Sequence, residues 1–503
     1  MLIWFVVLYL LVSIGIGLFA ATRVHSARDF AVAGRSLPLP VVTATVFATW
    51  FGAEAVLGVS ATFVKEGLRG VVADPFGAAF CLILAGLFFA RRLYRLNMLT
   101  IGDFYRWRYN RPVEIVTTLA IVASYLGWVG AQIKALGLVF FIVTQGAISE
   151  EAGMMLGAVI VLTYTTFGGM FAVAFLDFVQ MTAIMGGMLY IAWIVSGMTG
   201  GVGTVVAHAA AAGKLDFFPE ASFAAWIPFI GALVTMMLGS IPQQDVFQRI
   251  TSAKNEQTAV RGSVLGGSLY LLFAFVPMYL AYSATLVDPA TFGALVESDS
   301  QRVLPTLILT HMPVFAQVVF FGALLSAIMG CSAATLLAPS VSFSENIVRG
   351  FIPGISDQRL LRVMRITLVC FTGLVLVYAL HSEASIFHMV ENAYKVTLVT
   401  AFIPLLAGLY WQRANTQGAY FAIAAGLTSW IVLEVLQPDT IWPPQLVGLL
   451  LAAAGMVIGS LLPHRIGRPT PLAPAHTVLH HQAAHPHGGE HPLHHPNVHS
   501  GER

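Results

Sequence analysis

Long apolar runs recur some thirteen times along this chain, and lysine and arginine fall almost entirely in every second connection between them. A run of about 20 apolar residues crosses the ~30 Å hydrocarbon core of a bilayer. Nothing in that core satisfies exposed backbone groups, so runs of this length must be helices. The composition agrees: 57% of residues are hydrophobic and 10% charged, which leaves no polar stretch long enough for a soluble domain. The chain therefore reads as an all-α polytopic membrane protein. Its thirteen transmembrane helices are expected at 2–21, 41–64, 72–91, 113–143, 151–168, 173–196, 225–245, 262–286, 314–346, 361–381, 388–411, 416–436 and 443–462.

The basic residues give an orientation. With the N-terminus outside, the inner connections and tail hold 20 of the 26 lysines and arginines. Arg91, Arg92, Arg95, Arg106, Arg108 and Arg111 crowd one of those connections. The outer connections hold Lys65, Arg69, Lys214 and Arg302, and only Lys134 and Lys395 fall within spans. The positive-inside rule then predicts an outside N-terminus and a cytoplasmic C-terminus. The expected location is the plasma membrane, the inner membrane of a bacterium. Met1-Leu2-Ile3-Trp4 lacks the basic region of a signal peptide, so 2–21 reads as a retained helix. Cys81, Cys331 and Cys370 all lie in apolar segments and form no disulfide or metal-ligand pattern. Residues 463–503 are rich in Pro, Gly and His and cannot bury a core, so a disordered tail is expected. A His-rich tract can bind zinc, nickel or copper, and it can equally be a solubilising tail.

Two spans look interrupted. In 41–64, Gly52 and Gly58 punctuate a run that carries Thr43, Thr45, Thr49 and Glu54; in 225–245, Gly239 and Pro242 do the same. Interrupted helices five spans apart fit inverted-repeat transporters, whose central site the broken helices build. Ionisable groups inside a membrane are costly and face partners or cavities. Glu54, Lys134, Asp177, Glu391 and Lys395 are the candidates here, with Gln132 and Gln180 nearby in sequence. Glu391 and Lys395 are four apart, which predicts an ion pair on one helical face. Asp74 opens the third span, where interfacial anchoring is expected.

Four segments carry a family resemblance. Tyr164-Thr165-Thr166-Phe167-Gly168-Gly169-Met170-Phe171-Ala172-Val173, followed by Asp177 and Gln180, is similar to the YTxxGGxxAVxxTDxxQ segment of the sodium:solute symporters, with Leu176 where Thr is usual. Arg28-Asp29-Phe30-Ala31-Val32-Ala33-Gly34-Arg35 resembles their DFxxAGR loop. Thr100-Ile101-Gly102-Asp103-Phe104 with Arg108-Tyr109 resembles their TIPDFLxxRF stretch, and Gln244-Asp245-Val246-Phe247-Gln248-Arg249 their QxxxQR. The resemblance implies a five-plus-five inverted-repeat (LeuT-like) core at 41–411. An extra helix and loop at 1–40 would precede it, and two helices at 412–462 would follow.

The resemblance also implies a sodium site made by the carbonyls of Ala48, Phe51 and Ala327. Two hydroxyl residues should complete that site, but their places fall on Gly330 and Cys331. Neither supplies the hard oxygen that sodium prefers. Ser326 and Ser332 would compensate only with a shift of register. Sodium is the coupling ion implied by the family. A proton is the alternative, carried by Glu54, Lys134, Asp177, Glu391 or Lys395, and a fixed lysine charge could also replace the cation. The expected activity is ion-coupled import of a small organic solute, with an amino acid favoured. Thr49, Trp50, Glu54, Tyr125, Trp128, Gly239 and Ser240 would line its path. A sensory membrane module working with a separate kinase is the competing class. No paired nucleophile and base, phosphate loop or metal motif in the spans points to an enzyme. The expected partners are a solute and the lipid bilayer, not nucleic acid; the oligomeric state is open.

Overall fold

A computed structural model describes residues 2–352, 354–436, 441–463 and 466. The His-rich tail and its metal-binding expectation lie outside the described residues. Among the described residues the chain is helical, with a single isolated bridge between Leu37 and Ala253. Helix α1 is Leu2–Ala21 and α2 is Leu39–Phe47. Next come α3 (Glu54–Arg95), α4 (Arg111–Val143) and α5 (Glu150–Met198). They are followed by α6 (Phe223–Gly239), α7 (Gln244–Thr251) and α8 (Glu256–Val287). The last five are α9 (Val314–Phe351), α10 (Asp357–His381), α11 (Ile386–Tyr410), α12 (Thr416–Leu436) and α13 (Pro444–Leu461).

Ten of the described helices are long and apolar enough to cross a bilayer, and eleven if the bent pair α6–α7 forms one span. The difference from thirteen has a local cause. Spans expected as separate helices run together in α3 and in α5, and the second expected span is split between α2 and the start of α3. At 1.5 Å per residue, a straight 49-residue α5 would be roughly 75 Å long, more than twice the hydrocarbon core. It breaks instead at Gly169, whose φ of 52° and ψ of −146° lie outside any helix. In α3 the turn comes at Gly67, where φ is 71°.

Burial separates a central group of helices from a peripheral one. In their most apolar stretches α4 is 78% buried and α9 72%, against 24% for α1 and 22% for α12. The elements that will matter below, α2, α4, α9 and α11, are thus shielded by others from the surrounding lipid.

Gly169 makes a prediction. A Cβ there would lie 2.7 Å from the Phe30 carbonyl oxygen and 3.0 Å from Phe30 Cα, on a backbone conformation that L-residues avoid. Gly169→Ala should lower the thermal midpoint of the purified protein in detergent, with a loss above ~1 kcal/mol. Gly186→Ala, which meets nothing within 4 Å, is the control and should leave it unchanged.

Candidate functional site

The helix opened by α2 loses its regular ladder between Ala48 and Ala53. Thr49 N–H bonds back three residues to Val46, and Gly52 N–H only two, to Trp50. Ala53 N–H leaves the helix altogether and donates to Gln132 Oε1 of α4 at 3.1 Å. Cys331 Sγ of α9 donates to the Thr49 carbonyl at 3.5 Å. Gly52 allows this approach, because a Cβ there would sit 3.0 Å from both Cys331 Cβ and Gln132 Oε1. The helix then resumes at Glu54 with a wider π turn to Val59, a form that recurs at functional sites.

The second break lies at Ser240–Gln243, where α6 and α7 meet at 49°. Thr397 of α11 donates to the Gly239 carbonyl at 2.7 Å. Gln243 Nε2 donates to Ser124 Oγ at 2.9 Å. Tyr125 serves the start of α7 twice. Its hydroxyl donates to Asp245 Oδ1 at 2.5 Å and accepts from Asp245 N–H at 3.0 Å.

Arg249 joins the two breaks. Its Nε donates to the Thr45 carbonyl of α2 at 2.7 Å, and its Nη1 to Asp245 Oδ2 at 3.3 Å. Its Nη2 lies 3.9 Å from Asp177 Oδ2, which also accepts from the Thr45 hydroxyl at 2.5 Å. All of these groups are buried. One guanidinium therefore bridges two carboxylates from different parts of the chain.

Four aromatic rings close over the first break. Trp50 stacks on Trp128 with centroids 4.9 Å apart, and Tyr125 stacks on Trp128 at 5.8 Å. Tyr394 of α11 meets Trp50 and Trp128 edge-on at 5.5 and 5.6 Å. Trp50 Nε1 and the Tyr394 hydroxyl are buried there without hydrogen-bond partners.

The residues implied for a sodium site are drawn together in part. Cys331 faces the first break, as described. Gly330 faces α5: a Cβ there would lie 3.2 Å from Asp177 Oδ1 and collide with Gln180 Oε1. Asp177 Oδ1 and Gln180 Nε2 have no hydrogen-bond partner. Ser332 spends its hydroxyl on the Ile328 carbonyl of its own helix, and Ser326 meets Ser13 of α1 at 3.4 Å.

Three expectations are corrected. Lys395 pairs with Glu434 of α12 at 3.2 Å, and Glu391 with His388 at 3.5 Å, instead of with each other. The helix turns at Tyr394, between the two residues, so the four-residue spacing no longer aligns them. Lys134 is not deeply buried; it donates to the carbonyls of Ser382 and Ala384 just past the end of α10. Asp74 does not anchor at an interface. It is fully buried and accepts a hydrogen bond from the Tyr270 hydroxyl. Sequence reasoning missed Tyr394, Arg249 and Asp245 as parts of the centre. The Asp245–Arg249 spacing of four on one helical face was the available signal.

Two facing helix breaks in a shielded bundle, lined by aromatic rings and unpartnered polar atoms, are the architecture of a secondary transporter. The chain matches the sequence model of the Sodium:solute symporter family over residues 30–426 and belongs to that family. It is 27% identical over 415 residues to the high-affinity choline transporter 1 of Caenorhabditis elegans, covering 80% of this chain and 70% of that protein. It is 25% identical over 490 residues to the sodium/pantothenate symporter of Escherichia coli (strain K12), covering 94% and 97%. Among solved structures it is similar to a Na+-coupled sialic acid symporter in a substrate-bound outward-open state. The TM-score is 0.78 at 16% identity, covering 91% of this chain and 97% of that one. The fold is thus the five-plus-five inverted-repeat, LeuT-like one. The chain is a multi-pass membrane transporter and not an enzyme.

Removing one partner of a buried ion pair strands the other charge, at a cost of about 3–5 kcal/mol. Arg249→Met should therefore lower the thermal midpoint of the detergent-purified protein sharply. Adding Asp245→Asn to it should recover part of the loss.

Proposed function

We propose that this chain imports a small organic cation by alternating access, driven by a sodium gradient. The observation that carries the reading is the four-ring cluster of Trp50, Tyr125, Trp128 and Tyr394 at the first helix break. Aromatic faces attract cations, by about 2 kcal/mol per good contact when desolvated. Relatives described as choline transporters support a ligand of this kind. Thr49, Trp50, Glu54, Tyr125, Trp128, Gly239 and Ser240 line the proposed path, and the solute enters by parting Trp50 from Trp128.

An amino acid, favoured from sequence, fits less well. Its carboxylate would need a positive partner, and broken-helix transporters use the amino end of a half-helix for that. Here Glu54 already places a carboxylate at that end. The buried cation that joins the two breaks, Arg249, is engaged by Asp245, Asp177 and the Thr45 carbonyl.

Sodium would take the carbonyls of Ala48, Phe51 and Ala327. In place of the two missing hydroxyls we assign Asp177 Oδ1 and Gln180 Oε1, which the absent side chain of Gly330 leaves room for. These are the hard oxygens the ion needs. The rival is proton coupling through a buried carboxylate, Glu54 or Asp177. It is favoured by the loss of the hydroxyls at Gly330 and Cys331.

Uptake of choline into proteoliposomes, with sodium and proton gradients imposed separately, tests the whole reading. Sodium should drive accumulation when the proton gradient is collapsed. Asp177→Asn should raise the sodium concentration for half-maximal uptake about tenfold or more. Trp128→Ala should raise the choline KM by a similar factor. Accumulation driven by protons alone would replace sodium in the scheme, and no accumulation of any organic cation would overturn it. Orientation is tested separately: a cysteine placed in 199–221 should react with an impermeant thiol reagent from outside if the N-terminus is outside.

A further inference from the structure

Glu54 and Asp74 stand apart from the network around Arg249. Glu54 is 1% exposed and Asp74 fully buried. The Tyr270 hydroxyl donates to Asp74 Oδ1. Both oxygens of Glu54 and Oδ2 of Asp74 then remain without a hydrogen-bond donor. The turns that carry them, 54–59 and 72–77, pack against each other. Among the described residues no lysine, arginine or histidine forms an ion pair with either. Two bare carboxylates cannot both stay ionised in such a place unless a cation joins them.

The place adjoins the aromatic cluster. Glu54 follows Trp50 by four residues across the break. Phe51, next to Trp50, packs edge-on against Tyr270 at 6.3 Å. The Tyr394 hydroxyl is fully buried and has no partner, and its ring borders Trp50 and Trp128. Ring faces satisfy the methyl groups of a quaternary ammonium, which donates no hydrogen bond. They leave three carboxylate oxygens unsatisfied. A primary ammonium carries three N–H donors.

We propose that Glu54 and Asp74 form an ammonium subsite beside the aromatic cluster, so that the solute is a cation bearing N–H groups, a primary or secondary amine, held in preference to a quaternary ammonium. The proposal rests on the organic-cation reading above and narrows it.

Ethanolamine and choline are a matched pair of probes that differ only in the methyl groups on nitrogen. Each is titrated against the full chain in detergent with sodium present, and affinity is read from the shift of the thermal midpoint. Ethanolamine should bind about tenfold tighter than choline. Glu54→Gln and Asp74→Asn, each close to isosteric, should bring that ratio near one, and if one of them fails to fold the other carries the test. Choline binding as tightly as ethanolamine to the native protein overturns the subsite and leaves the organic-cation reading standing. A preference that survives in the folded variants, or a variant that changes only the sodium requirement, also overturns it. Absence of binding by both probes overturns the subsite and the cation reading together.

Discussion

A helix broken inside a membrane leaves backbone groups that no solvent can satisfy, and this constraint organises the centre of the protein. The freed groups must find partners among side chains. Gln132 takes the Ala53 N–H, Cys331 the Thr49 carbonyl, Thr397 the Gly239 carbonyl and Tyr125 the Asp245 N–H. Those partners come from α4, α9 and α11. The breaks thus dictate which helices must be central, and these helices are among the best shielded from lipid.

Charge is distributed unevenly over this frame. Around Arg249 two carboxylates share one guanidinium, and the network closes the gap between α2 and α7. Around Glu54 and Asp74 the negative groups have only the Tyr270 hydroxyl. The first arrangement holds two half-helices together and leaves Asp177 Oδ1 and Arg249 Nη2 without hydrogen bonds. The second is incomplete, and so is suited to an exchangeable ligand. Lys134 and Lys395 play neither part, since both are engaged away from the breaks.

The fold was legible in the sequence to the extent that it follows from one-dimensional signals. Apolar length located the spans, and Gly52, Gly239 and Pro242 located both interruptions. Trp50, Tyr125 and Trp128 were recognisable as companions because they lie beside those interruptions or on the helix expected against them. What escaped was whatever depends on a change in helix course. The Glu391–Lys395 pair follows from an unbroken helix, and the turn at Tyr394 separates it. The same turn presents Tyr394 to Trp50, a contact that no spacing rule anticipates. Asp74 looked interfacial because it opens an apolar run, yet its burial comes from α8, which brings Tyr270 to it. The spans expected on either side of Gly67 and of Gly169 follow one another with little intervening loop.

The face-to-face contact of Trp50 and Trp128 has an optical consequence. Two indoles 4.9 Å apart and inclined by only 26° share their electronic excitation. Their near-ultraviolet circular dichroism therefore depends on the pair as a unit. A molecule that slides between them uncouples the two transition dipoles. The protein thus carries its own reporter of occupancy, one that needs no attached dye.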